Sequence, residues 1–247
     1  MPNATLEYCS SGRYDHVTDA GRLPVPHDLI IYDCDGTLID TETIYAEINL
    51  VSYHAIGLTH WTMESYVDAM VGIPVTEGRR IIERDFGGPL PVDFEEKIER
   101  EVKRRFASEL KALPGVREAV TGIDGQRCVA SSTSLVPLKR NLATAGLIDL
   151  FDPHVFSASQ VSRGKPHPDV FLFAAETFGV RPEMCLVIED SVPGVLAARA
   201  AGMPVVGFTG VAHDKARIGA RLKDAGALAV IDHMDDWAKL VRQVRAS

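Results

Sequence analysis

Leu29-Ile30-Ile31-Tyr32-Asp33-Cys34-Asp35-Gly36-Thr37-Leu38 settles the architecture of this 247-residue chain. Four consecutive large apolar residues run, without a polar break, into two carboxylates spaced two apart. A short continuous apolar run is the pattern of a strand buried on both faces, as parallel strands are. In extended chain, residues i and i+2 project to the same side, so Asp33 and Asp35 face one site, and Gly36 lets the backbone turn sharply behind them. Ligands of open α/β sheets bind beyond the carboxyl ends of strands, which is where these acids fall. Taken alone, the same string also describes a strand that ends in an ordinary Asp-Gly turn.

Outward from this stretch, short β-rich runs alternate with helical patterns. Strands are expected over Asp28–Tyr32, Arg127–Ser131, His154–Phe156, Met184–Ile188, Pro204–Phe208 and Ala227–Val230. Helices are expected over Val136–Ala145, Pro168–Phe178 and Pro193–Ala201, stopped by Gly146, Gly179 and Gly202, with Ser191 as an N-cap. That alternation predicts an α/β fold with a doubly wound, mainly parallel sheet. Residues 42–111 interrupt it with long helical patterns, clearest over Asp93–Leu110, and read as a small helical insertion after the first strand. The α/β core then comprises 27–41 and 112–247. Residues 1–26 read as an N-terminal extension or leader without a signal-peptide core.

Composition narrows the function classes. A hydrophobic fraction of 46% and a charged fraction of 24% are ordinary for a folded globular chain. A net charge of −8 without a dense Lys/Arg stripe disfavours a nucleic-acid partner. The longest apolar runs are far too short to span a bilayer, so no membrane partner and a cytoplasmic location are expected. Cys9, Cys34, Cys128 and Cys185 lack paired metal-ligand spacing and read as reduced, mostly buried thiols. Either a monomer or a weak homodimer is compatible with this composition.

Three further strings bear on the first. Val129-Ala130-Ser131-Ser132-Thr133-Ser134 offers hydroxyls and free backbone N–H groups at a helix start, an anion site that a plain Ser/Thr cap would also explain. Gly164-Lys165-Pro166-His167-Pro168 holds one cation in a loop stiffened by prolines; by itself Lys165 reads as a solvated lysine. Leu186-Val187-Ile188-Glu189-Asp190-Ser191 is another apolar strand that ends in acids, which taken alone also read as a helix cap. Together Asp33, Asp35, Glu189 and Asp190 converge at one sheet edge, and two like charges about 4 Å apart repel by roughly 4 kcal/mol at an effective dielectric near 20. Such a cluster needs a cation, and oxygen donors without His or Cys favour magnesium over zinc.

This order of strings closely resembles the haloacid dehalogenase superfamily, whose four motifs match Asp33-x-Asp35-Gly36-Thr37, Ser131, Lys165 and Glu189-Asp190. Asp40-Thr41-Glu42 and Gly164-Lys165-Pro166-x-Pro168-Asp169 further resemble the branch that holds phosphoglycolate phosphatases, sugar-phosphate phosphatases and beta-phosphoglucomutase. The resemblance implies a Rossmann-like core with a mobile helical cap, Asp33 as nucleophile and Asp35 as general acid/base. Thr37, Ser131, Ser132 and Lys165 would hold the phosphoryl group. Asp190, with Glu189 nearby, would bind Mg2+ along with Asp33 and the backbone carbonyl of Asp35. The implied activity is a Mg-dependent phosphatase that acts on a small phosphorylated metabolite, a sugar phosphate or phosphorylated acid, through an aspartyl-phosphate.

Within the resemblance, a dehalogenase needs neither the second acid nor the metal pair, and a phosphonate hydrolase needs a cap lysine that residues 41–96 do not contain. The mutase is the nearer alternative. It carries a hinge histidine twelve residues after the nucleophile where this chain has Tyr45, and an arginine just after its cap glycine where Gly72 is followed by Ile73. A phosphatase is therefore preferred, with a non-catalytic binding or regulatory module of the same fold as a further alternative. Glu42, Tyr45, His54, Arg79 and Arg80 are the cap candidates for reading the leaving group, and Arg79 or Arg80 would suit a second carboxylate or phosphate.

Overall fold

A computed structural model describes residues 27–70 and 75–245 of the chain, so the N-terminal extension with Cys9, and the position after Gly72 that bears on the mutase, lie outside the described residues. β1 (Leu29–Tyr32) is buried along its whole length. It pairs in parallel with β2 (Gln126–Ser131) on one side and β4 (Cys185–Glu189) on the other, with Tyr32 opposite Val129 and Ile188. β3 (Val155–Ser157), β5 (Val205–Phe208) and β6 (Ala229–Ile231) complete a six-stranded parallel sheet in the order β3-β2-β1-β4-β5-β6. The chain winds outward from β1 in one direction, then jumps back across it. That reversal opens a crevice beyond the carboxyl end of β1.

Alternation sends the side chains of β1 to both faces of the sheet. Ile30 and Tyr32 pack on one face with Leu186, Ile188 and Trp237. Leu29 and Ile31 pack on the other with Cys185, Val187, Val170 and Ala198. Both faces are covered by helices, so β1 and β5 are apolar throughout and β4 is apolar up to Glu189. Cys34, Cys128 and Cys185 are free and buried.

The strands lie where the sequence places them, displaced by one or two residues at their ends. The glycine stops hold as well. Gly146, Gly179 and Gly202 have φ of 70°, 65° and 76° just past α6 (Leu135–Thr144), α7 (Asp169–Phe178) and α8 (Val192–Ala200). Three helices lie outside those expected from the sequence: α5 (Val116–Thr121) is short, α9 (Lys215–Asp224) is rich in Lys and Arg, and α10 (Met234–Arg245) is amphipathic and buries Met234, Trp237, Leu240 and Val241 in the main core.

Between β1 and β2 stand α1 (Glu42–Ala55), α2 (Met63–Met70), α3 (Val75–Phe86) and α4 (Phe94–Glu109). They share a core of their own around Tyr53, Leu58, Trp61, Ile82 and Phe94. Ile44 and Ile48 of α1 and Val102 and Phe106 of α4 instead join the main core with Tyr32. The chain leaves and re-enters the sheet at one narrow place, where Leu113 N–H donates to Leu38 O at 2.9 Å and Ile39 bridges Ala112. Among the described residues no helix is long and apolar enough to cross a membrane.

Candidate active site

Asp33 follows β1 directly, its N–H bonded to Ile188 O at 3.0 Å. Cys34 next to it turns into the apolar core. Its carbonyl accepts N–H groups from Leu38 at 2.8 Å and Ile39 at 3.1 Å, which folds the following loop back on itself. Gly36 closes the turn with φ 80°, and a Cβ there would stand 2.1 Å from Asp190 Oδ2. Both the left-handed backbone and this close approach require glycine. Thr37 is buried, and its hydroxyl lies 3.5 Å from Asp190 Oδ1.

Lys165 is not the solvated lysine that its own string suggests. Its side chain is 3% exposed, and Nζ donates to Asp33 Oδ1 at 2.6 Å, Glu189 Oε1 at 2.8 Å and Ala130 O at 3.0 Å. Phe171, which no motif marks, lies against the ammonium with its ring centroid 4.9 Å away. Burial pulls this ammonium toward neutrality, but the Asp33 and Glu189 carboxylates outweigh that effect and hold its pKa above the ordinary lysine range. The cation is fixed next to the nucleophile candidate.

Glu189 is likewise occupied by protein donors. Besides Lys165 at Oε1, its Oε2 accepts Ser191 N–H at 2.7 Å and Ser191 Oγ–H at 2.9 Å. Gly194 makes room for it, since a Cβ there would stand 1.7 Å from Oε1. Ser191 in turn caps α8 by accepting Gly194 N–H at 3.1 Å. These bonds give Glu189 the work of holding Lys165, in addition to any share in a cation.

Asp35 faces a different set of groups. Oδ2 accepts Thr133 Oγ–H at 2.7 Å and Ser131 Oγ–H at 3.3 Å. Ser131 is buried and also accepts Thr133 N–H at 3.0 Å, while Ser132 stands exposed beside it. The Thr133 carbonyl accepts the fully buried Ser157 hydroxyl at 2.7 Å, which anchors the loop. Thr133 belongs to the hydroxyl-rich string, but nothing in that string singles it out from its neighbours.

Asp33, Glu189 and Asp190 each place one carboxylate oxygen within 4.8 Å of the others. The side chain of Asp35 is not in that group, so any metal role for Asp35 falls to its backbone carbonyl. Burial is the main cause that holds Asp33 well above the ordinary carboxylate range; Lys165 pulls it down, and Glu189 and Asp35 push it up. Asp190 is raised by burial first, then by Glu189, Asp33 and Glu42. Buried, mutually repelling oxygens with one neighbouring ammonium fit a hard divalent cation.

The five cap candidates separate. Glu42 opens α1 at the surface, its carboxyl raised by desolvation and then by Asp40 and Asp35. Tyr45, 42% exposed, packs edge-on to Phe106. His54 instead donates from Nε2 to Trp61 O at 2.8 Å and serves the loop after its helix. Arg80 is exposed and pairs with Glu77 at 3.2 Å. Arg79 is bonded to Glu83 at 2.9 Å and to Glu95.

Residues 27–202 match the family model described as haloacid dehalogenase-like hydrolase. A phosphorylated carbohydrates phosphatase of Thermotoga maritima is 33% identical over 208 residues, which cover 83% of this chain and 94% of that protein. The 6-phosphogluconate phosphatase of Escherichia coli is 29% identical, covering 76% and 85%. A crystal structure of a conserved haloacid dehalogenase-like protein from Agrobacterium tumefaciens superimposes with a TM-score of 0.81 at 36% identity, covering 88% of this chain and 99% of that one. The chain belongs to the haloacid dehalogenase-like hydrolase family, in the branch of phosphoglycolate phosphatases, sugar-phosphate phosphatases and beta-phosphoglucomutase, and is an enzyme of the phosphoric monoester hydrolase kind.

Proposed function

We propose that this enzyme is a magnesium-dependent phosphatase that hydrolyses a small phosphorylated metabolite through a phosphoryl group carried on Asp33. The observation that carries the reading is the pairing of Asp33 with Lys165 at 2.6 Å, beside a second carboxylate held on hydroxyls. Phosphoryl transfer needs an in-line nucleophile and fixed positive charge around the equatorial oxygens. Asp33 supplies the nucleophile, and Lys165 with the N–H groups after Ser131 supplies charge and donors. Asp33, Asp190 and the Asp35 carbonyl would hold Mg2+, with Glu189 at its edge. When bound, the ion adds positive charge beside the transferring oxygens.

The two half-reactions use one acid/base. An Asp33 oxygen attacks phosphorus while the ester oxygen departs with the proton of Asp35, releasing the alcohol. Asp35, now ionised, takes a proton from water, whose oxygen attacks phosphorus and frees Asp33 and inorganic phosphate. Residues 42–111 would act as the cap that excludes water and meets the leaving group. A cytoplasmic location accords with the three buried, reduced thiols.

Release of inorganic phosphate from sugar phosphates and phosphorylated acids, with and without Mg2+, tests this reading. Asp33→Asn should lower release by at least about 10³-fold. Interconversion of glucose 1- and 6-phosphates with little release would indicate the mutase instead.

A further inference from the structure

Lys165 sits over the face of Phe171, with Nζ 4.9 Å from the ring centroid, and no step described above uses that ring. Phe171 lies in the first turn of α7, its N–H bonded to Pro168 O at 3.0 Å, and it is fully buried in one core cluster with Ala130, Val187 and Val195. Arg163 closes the loop around Lys165, since its Nε and Nη2 donate to Asp169 at 3.2 and 2.9 Å. The loop that carries the lysine is thus tied to the helix that carries the ring.

Packing alone does not ask for an aromatic residue at this place. The surroundings are largely aliphatic, and the neighbouring phenylalanines of this face serve one another, Phe156 meeting Phe173 and Phe178 edge-on at 5.3 and 6.4 Å. What sets position 171 apart is the charge over its ring.

An ammonium has three N–H donors, and those of Lys165 go to Asp33 Oδ1, Glu189 Oε1 and Ala130 O. The ring therefore acts on the charge and not on a proton. The negative potential of a π face attracts a cation without accepting a hydrogen bond, and most strongly where water is excluded, as it is around a side chain 3% exposed. Asp33 differs from the ring in one respect that matters for turnover. Its carboxylate loses its negative charge when an oxygen bonds phosphorus, and a Lys165 N–H must leave an acceptor to reach a phosphoryl oxygen. The face of Phe171 can be neither protonated nor esterified, so its attraction for the ammonium persists through both half-reactions.

We propose that Phe171 is a positioning residue for Lys165, whose ammonium its π face holds beside Asp33 while one N–H passes from a protein acceptor to the phosphoryl group. This rests on the phosphatase reading and adds to it a residue that acts through another. The exchange of acceptors accompanies phosphoryl transfer, so the effect falls on turnover more than on binding of the ester.

The test replaces Phe171 in the full chain by mono-, di- and trifluorophenylalanine. Each fluorine drains negative potential from the ring face with little change of shape and makes the ring more apolar, so electrostatics and packing predict opposite signs. With magnesium present, kcat on a phosphate monoester should fall step by step, by roughly tenfold at the trifluoro ring, while KM changes less than about twofold. The urea midpoint of unfolding should fall along the same series, and in Lys165→Met, which has no ammonium, it should hold or rise. A flat or rising kcat, a loss confined to KM, or an equal fall in stability in Lys165→Met overturns the proposal. If Lys165→Met does not fold, the sign of the kcat series decides alone, because greater apolarity predicts the contrary. Phosphate release by the wild type reads the underlying function separately. No release from any ester sinks the phosphatase reading and this role with it, whereas steady release that ignores fluorination sinks the role of Phe171 alone.

Discussion

Lys165 commits its ammonium to three acceptors inside the protein, and the two that are carboxylates are themselves buried. Removing one partner of such a cluster leaves uncompensated charge, so Lys165→Ala should destabilise the fold by about 3–5 kcal/mol in urea denaturation. A loss below about 1 kcal/mol would mean that water reaches Asp33 and Glu189 and relieves them. Thr133 makes a different kind of prediction, because it touches Asp35 and no reacting atom. Thr133→Val should lower kcat/KM roughly tenfold on an alkyl phosphate, whose departing oxygen needs a proton, and much less on a nitrophenyl phosphate, whose does not. Thr133→Ser, which keeps the hydroxyl, should restore the rate on the alkyl ester, and an equal loss on both esters would reduce Thr133 to packing. Both residues show where reading by type stops. A lysine ahead of two prolines and a threonine among serines reveal nothing about an acceptor on β2, 35 residues away, or one just past β1, 98 residues away.

Elements were easier to read than their rotations. The apolar strands and the glycines that stop α6, α7 and α8 are local signals, and they place the sheet to within a residue or two. Ser191 was legible as an N-cap, but its second bond, to Glu189, depends on β4 and α8 meeting at one corner. Ser191→Ala should therefore cost about 1–2 kcal/mol by chemical denaturation, at or above a usual cap loss, since Glu189 loses a donor as well. No change in stability would show that the cap bond and the Glu189 bond are both replaced by water. The inserted helices were visible as helices, yet which faces turn toward Asp35 was not. Asp35 raises the carboxyl of Glu42 and the phenol of Tyr45, whereas His54 turns to the Trp61 carbonyl, because amphipathic spacing fixes the buried side of α1 but leaves its polar residues undistinguished.

At the scale of the molecule, the sheet gathers acids from the ends of β1 and β4 and a lysine from the loop before α7 into one crevice. Convergence of the acids was legible from their place at the carboxyl ends of strands in a parallel sheet, whereas the strand order that makes β1 and β4 neighbours was not. Gathering the acids leaves repulsion that a divalent cation relieves, so Mg2+ should raise the melting temperature, and ion at a hundred times its Kd would add about 2.7 kcal/mol. Asp190→Asn should abolish most of that rise while making the metal-free protein more stable, because one buried repelling carboxylate is gone. Loss of stability in both states would point to a packing role for Asp190. The proposed catalysis depends on phosphorus becoming bonded to one oxygen of Asp33. Acid quenching during turnover, followed by proteolysis and mass spectrometry, should find the mass of one phosphoryl group on the peptide that contains Asp33, and none in Asp33→Asn. Sustained phosphate release with the group on another residue, or on none under conditions that preserve acyl phosphates, would contradict it.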